Sequence, residues 1–521
     1  MKRFANVATA ALVLTLLFAA LVVLVLPQAQ PPQSRVQAPQ RQANPLPQVI
    51  PTLREWQGES GAFSLAPTSH VVIDTATGGQ LGDTAHAFAA DVTLITGSAM
   101  PIVTGSSAGP GDFFLSLATT DQGLGDEGYS LSIADGVTLR AHTATGVFYG
   151  TRTILQMLLA DAVKARLPHG SARDYPSYHE RGFMLDVGRK YFPLNELKEY
   201  VRAMSWFKLN DFHLHLNDNQ LIVGTGSDWT TRYAAFRLSS PRFPGLAAKD
   251  GAYSRQEMRE LQDFAKQYGV TITPEIDVPA HALALTQFRP DLASATLDKS
   301  MLDLSNPNTL PFVKSLWDEF LPWFDSKHAH IGADEYDVSQ GETYRQFVNA
   351  CDDYLKSKGY TVHAWGSLAQ MKGTTLIHSD VVMDLWDTTF ASAPEMVREG
   401  YSVVNTSDTY LYIVPKAGNY NDYLDTKTLY EQWEPYIFDL RNPAQNLAPG
   451  DAHLLGAKFA VWNDKLGALI SDADVAARVQ AALPTVGEKF WGGPARGMTY
   501  EQFMGRAHTV GQAPGLNLLT A

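Results

Sequence analysis

The stretch Asp211-Phe-His-Leu-His-Leu-Asn-Asp218 is short, mostly apolar, and turns polar where it ends. Side chains alternate across a strand, so His213 and His215 share one face. Seven more runs of this kind recur: Gly182–Val187, Thr271–Ile276, His328–Gly332, Thr361–Trp365, Val381–Trp386, Ser402–Asn405 and Ala457–Trp462. Helical periodicity fills the stretches between them. Leu194–Leu209, for example, has apolar residues at helix spacing and Pro193 at its start. Strands alternating with helices across residues 175–521 predict a (β/α)8 TIM barrel, an α/β fold. Catalytic groups in such a barrel stand at the C-terminal ends of its strands.

The strand ends carry that kind of chemistry. The first run leads to Asp186-Val-Gly-Arg189-Lys190, and the second ends at Asp218. The third gives Glu275-Ile-Asp277-Val-Pro-Ala-His281, and the fourth gives His330-Ile-Gly-Ala-Asp334-Glu335. Three runs end in Trp365, Trp386 and Trp462, with Asp464 just beyond the last. The seventh leads into Asp408-Thr-Tyr410-Leu-Tyr412. Flat aromatic walls beside carboxylates and an arginine describe a sugar subsite. Taken singly, each piece is ambiguous: a lone Asp-Glu pair is usually a solvated loop, and a buried tryptophan is usually core.

Ahead of the barrel, residues 51–174 mix short β-like runs (62–65, 70–74, 112–117, 129–133) with helix-like stretches at 83–96 and 144–159, which suggests a small α+β domain. Residues 27–50 are rich in Pro and Gln and read as a spacer. Residues 1–26 begin Met1-Lys2-Arg3 and continue in a nearly unbroken apolar run. That pattern predicts a signal peptide or an N-terminal membrane anchor, hence an extracellular enzyme, secreted or tethered. The chain has 521 residues, 45% hydrophobic and 18% charged, with a formal net charge of −13, so a basic face for nucleic acid is not expected. Its single cysteine excludes an intrachain disulfide.

Four motifs in order resemble those of the family-twenty glycoside hydrolases, the β-N-acetylhexosaminidases and their relatives. They are Arg181-Gly-Phe-Met-Leu-Asp-Val-Gly-Arg189, His213-Leu-His-Leu-Asn-Asp218, Pro274-Glu-Ile-Asp-Val-Pro-Ala-His281 and His330-Ile-Gly-Ala-Asp-Glu335. Residues 51–174 are similar to that family's usual N-terminal domain. The resemblance implies substrate-assisted hydrolysis of a terminal β-linked N-acetylhexosamine, in which the sugar's 2-acetamido oxygen attacks the anomeric carbon. It needs no cofactor and no metal. Glu335 matches the general acid, its pKa expected to be raised by burial and a neighbouring charge. Asp334 matches the residue that orients the acetamide N–H. Tyr410 is preferred over Tyr412 as the acetamide clamp. Trp365, Trp386 and Trp462 would wall the pocket, with Trp462 as its floor, and Arg189 rather than Arg181 would grip ring hydroxyls. Asp218, His281, Asp277 and His215 would hold the catalytic carboxyl through hydrogen bonds.

The sequence departs from the family pattern at Lys190, where histidine is usual, at Asn219 in place of a second aspartate, and at Ala333 in place of glycine. Tyr412 stands where many members carry aspartate, and Asp464 where glutamate is common. The last two, Tyr412 and Asp464, would touch the outer hydroxyls of the bound sugar and bear on whether it is N-acetylglucosamine, N-acetylgalactosamine or a disaccharide. The alternatives are a lacto-N-biosidase-like enzyme releasing a disaccharide, a metal-dependent barrel hydrolase built on His213 and His215 with Asp334 or Asp218, and an inactive glycan-binding module.

Overall fold

A computed structural model of the chain describes residues 42–220, 228–465, 470–493 and 497–518. The expected leader (1–26) and most of the spacer lie outside the described residues. Among the described residues, no helix is long and apolar enough to cross a membrane. The end of the expected spacer is built into the fold: Val49 and Ile50 are fully buried, and the Gln156 side chain bonds both the N–H and the C=O of Ile50 at 2.7 Å.

The N-terminal region forms a seven-stranded mixed sheet with the helices Gly82–Thr96 and Ala144–Ala160. The sequence reading found both helices. It missed the strands Ile102–Gly105, Val137–Ala141 and Arg166–Asp174. Ile102–Gly105 is a four-residue strand at one edge of the sheet, with no fully buried residue, too short to show an alternating pattern.

Eight parallel strands then close on themselves: Glu180–Asp186, Asp211–His215, Thr271–Glu275, His328–His330, Thr361–Trp365, Val382–Leu385, Val403–Asn405 and Leu454–Val461. The eighth pairs with both the seventh and the first, which makes the barrel. Its outer faces are apolar, as strands covered by helices require. Phe183 stacks on Phe212 and Phe459 with ring centroids 5.3 and 4.6 Å apart. The lumen is different. Barrel interiors are ordinarily filled by branched aliphatic residues, but this one holds His213, His215, Glu275, His330, His363, Asp384 and Lys458, all buried.

Two ion pairs at the N-terminal end of the barrel bolt the sheet domain on. Arg181 gives both guanidinium N–H groups to Glu127 at 2.7 and 2.8 Å, and Lys208 reaches Asp174 at 2.8 Å.

Candidate active site

A pocket of about 290 Å³ opens at the C-terminal end of the barrel, with Arg189, Asp334, Glu335, Trp386, Tyr412 and Trp462 on its wall. Asp277, His281 and Asp464 also face it. The fourth strand ends at His330, and the five residues after it turn sharply. Gly332, Ala333 and Glu335 have φ of 69°, 71° and 49°. Only glycine takes this conformation without steric cost. At Gly332 there is also no room, since a Cβ would lie 1.8 Å from Asp277 Oδ1. Ala333, the departure from glycine noted above, bears the strained conformation itself, and its N–H donates to Asp277 Oδ1 at 3.2 Å.

This turn separates two adjacent carboxylates. The Asp334 side chain is 14% exposed, that of Glu335 52%. Asp334 Oδ1 is buried and has no hydrogen-bond partner in the protein. Glu335 Oε2 lies 3.3 Å from His281 Nε2. From there the contacts run inward: His281 Nδ1 to Asp218 Oδ1 at 3.0 Å, Asp218 Oδ2 to His215 Nε2 at 2.7 Å, and His215 Nδ1 to Glu275 Oε2 at 2.7 Å. Glu275 is the anchor the sequence reading left without a role. Its other oxygen accepts the Trp365 indole N–H at 2.7 Å. The available signal was a carboxylate closing an apolar run, where burial demands partners.

The charges differ from expectation. The His281 contact holds the Glu335 carboxyl below its ordinary pKa, outweighing the burial that would raise it. Burial raises Asp334, helped by the charges of Glu335 and Glu275 and opposed by His281. The expected upward shift of Glu335 is therefore corrected: the foreseen contact with His281 outweighs burial and the neighbouring charge. Burial lowers His281, but Asp218, Asp334 and Asp277 together carry it well above the ordinary histidine value. The Glu335 carboxyl and the His281 imidazole thus stand one short proton transfer apart.

Arg189 is buried and held from several sides. Its Nη1 reaches Asp186 at 3.0 Å, Asp218 at 2.8 Å and Asp464 at 3.4 Å, and its Nε donates to the Asn219 carbonyl at 3.1 Å. Arg181 lies at the other end of the barrel, as its place at the start of the strand required. Lys190 turns away to Asp472 at 2.5 Å.

One expected wall residue, Trp365, is placed otherwise. Trp365 is 1% exposed and packs beneath Trp462, ring centroids 5.7 Å apart, with its N–H committed to Glu275. Trp386 and Trp462 face the pocket, each with a buried indole N–H that has no protein partner. The preference for Tyr410 over Tyr412 is also corrected. Tyr410 OH accepts the Leu440 N–H at 2.9 Å, away from the pocket, while Tyr412 lines it, 5.7 Å from the Trp462 ring. The reason is local. Asp408–Leu411 is a single helical turn, and Tyr412-Ile413 then pairs with Ala460 and Val461, so residues 410 and 412 point different ways. Val414 and Tyr420 complete that wall and were not foreseen.

The two histidines of the metal reading fall in separate groups, and only that of His215 includes Asp218 as the reading had it. His213 groups with His330 and Asp384, and His215 with Asp186 and Asp218. Cationic side chains already stand in both groups: Lys458 Nζ is 3.0 Å from Asp384 and 3.4 Å from His213, and Arg189 bridges Asp186 and Asp218.

Residues 178–494 match the family model described as glycosyl hydrolase family 20, catalytic domain, and residues 46–175 match that described as domain 2 of the same family. The chain is 27% identical over 447 residues to a lacto-N-biosidase of Bifidobacterium bifidum, covering 80% of this chain but 37% of that protein. It is 26% identical to a beta-N-acetylhexosaminidase of Cellulomonas fimi, covering 74% of this chain and 78% of that one. The solved beta-N-acetylhexosaminidase of Streptomyces coelicolor shares the fold, with a TM-score of 0.72 and 22% identity over 92% of this chain and 97% of that one.

Proposed function

Because the chain belongs to glycosyl hydrolase family 20, we propose that it removes terminal β-linked N-acetylhexosamine from glycans, with retention at the anomeric carbon. In this reading the substrate's own acetamide oxygen attacks C1 while Glu335, recharged from His281, gives a proton to the departing glycosidic oxygen. The C1–O bond breaks and an oxazolinium ring forms. Asp334 accepts the acetamide N–H and balances its positive charge, and Tyr412 donates to the acetamide oxygen to hold it in line. Water then attacks C1, giving its proton to Glu335, and the ring reopens. Holding the nucleophile inside the substrate is worth an effective molarity of about 10⁵–10⁸ M. Arg189 and Asp464 would take the sugar's outer hydroxyls.

The observation that carries the reading is Asp334 Oδ1: buried, unpartnered, and next to an acid that reaches solvent. Such an oxygen is costly unless a ligand N–H meets it. Glu335→Gln should lower turnover on aryl N-acetylglucosaminides by about 10²–10⁴, least where the leaving group needs no proton. Aryl glucosides without the acetamide should be nearly inert; equal rates on both would defeat the proposal.

Release of a disaccharide is the second reading, favoured by the match to a lacto-N-biosidase over 80% of this chain. An aryl lacto-N-bioside cleaved faster than the aryl N-acetylglucosaminide would establish it. The lysine-arginine start and apolar run of residues 1–26 support export, as a secreted or tethered enzyme. Fractionation of cells producing the full chain tests this, and soluble cytoplasmic protein alone would refute it.

A further inference from the structure

The barrel lumen carries an ionic line that the reaction above uses only at its upper end. Lys458 stands inside the eighth strand, where Gly182 of the first makes room for it: a Cβ there would come 2.8 Å from the lysine side chain. Its ammonium is 1% exposed and sits among Asp384 at 3.0 Å, Glu180 at 3.1 Å and Asp211 at 3.1 Å. His363 adjoins the same group through Asp384 at 3.2 Å, and His330 approaches Asp384 at 3.8 Å. Below lies a cavity of about 300 Å³ lined in part by Glu180, Asp211 and His328.

Upward, Lys458 Nζ lies 3.4 Å from His213 Nδ1. An ammonium can only donate, so His213 Nδ1 must accept and the ring proton sits on Nε2. That nitrogen lies 3.0 Å from Glu275 Oε2, in charge contact though off the line of a hydrogen bond. Burial together with the Lys458 charge holds His213 down at about 4, hence neutral. His215 has a carboxylate at each ring nitrogen, Glu275 and Asp218, and so carries both protons. Asp218 in turn receives Arg189 and His281, and His281 reaches Glu335.

We propose that Lys458 is a positioning residue for the general acid: from the far end of the barrel it fixes the charge and proton order of the line His213–Glu275–His215–Asp218–His281 on which Glu335 rests. This rests on the function proposed above. The groups facing Glu335 are His281, Arg189, Asp218 and Asp334, with Asp277, Tyr412, Tyr420, Asp464 and Lys465 on the same pocket wall. None is in the Lys458 cluster, so coupling between the two must pass along the lumen.

The test is the pH profile of kcat/KM on an aryl N-acetylglucosaminide. The alkaline limb reports loss of the proton shared by His281 and Glu335. Lys458→Met deletes a buried positive charge, so that proton is held more tightly and the limb should move up by about half a pH unit or more. Asp384→Asn deletes a buried negative charge, so the limb should move down, and the double variant should return close to the original. A purely structural role would lower rates without moving the limb in opposite directions. Limbs that stay put, or that move the same way, overturn the proposal. If Lys458→Met does not fold, Asp384→Asn decides alone: a downward shift supports it and an unmoved limb overturns it. An unaltered enzyme inactive on the glycoside would sink the functional reading and this inference with it. An active enzyme with unmoved limbs sinks this inference only.

Discussion

At the scale of single residues, the hydroxyl of Tyr412 is the group whose removal reads out the acetamide clamp most cleanly. Its ring is buried among Trp386, Trp462 and Met184, so phenylalanine would keep the packing and lose only the donor. Burial, with Asp334 close by, pushes its phenol well above the ordinary tyrosine value, which keeps it a donor at any working pH. Tyr412→Phe is expected to lower kcat/KM on N-acetylglucosaminides by roughly 10–10², the worth of one hydrogen bond to a developing charge. Tyr410→Phe, which loses only a contact to the Leu440 N–H, should leave kcat within about twofold and cost about 1 kcal/mol of stability. Steady-state kinetics on the pair separates them; a loss in Tyr410→Phe alone would return the clamp to Tyr410.

Among the elements, the turn after the fourth strand matters most. Gly332→Ala must place a Cβ against Asp277 in a backbone conformation unsuited to it, so a loss of at least about 2 kcal/mol is expected, together with a displaced Asp334. Thermal denaturation with activity on the surviving fold checks this; an unchanged Tm would show that the turn relaxes freely. The barrel strands were legible because an apolar face against helices leaves periodic runs that need no knowledge of partners. Asp334 and Glu335 stood out as polar residues closing such a run, but only the family resemblance gave them a role. The direction of Tyr410 was not, since four residues of helix between two strands leave no periodicity to read. Nor was the sign of the Glu335 shift. It depends on His281, more than fifty positions away in sequence, arriving within hydrogen-bonding range. Lys458 lay in plain view inside an apolar run, a charge that had to be paired, but only the closed barrel says with what.

For the molecule as a whole, the sheet domain is fastened to the end of the barrel opposite the pocket. Glu127→Gln leaves the Arg181 guanidinium buried without its counter-ion. Breaking such a pair costs up to about 3–5 kcal/mol, so Tm should fall while KM stays unchanged. A changed KM with unchanged Tm would mean that the sheet domain shapes the pocket. The pocket has a further consequence. Trp462 closes it below, and Trp365 lies beneath that. A cup with a solid bottom admits a polymer only by its tip. If it removes terminal sugars as proposed, such an enzyme cannot thread along a strand; it must let go after every cut and find an end again. Degradation then proceeds by separate encounters, and its speed follows the number of free ends in solution, not the mass of polymer behind them.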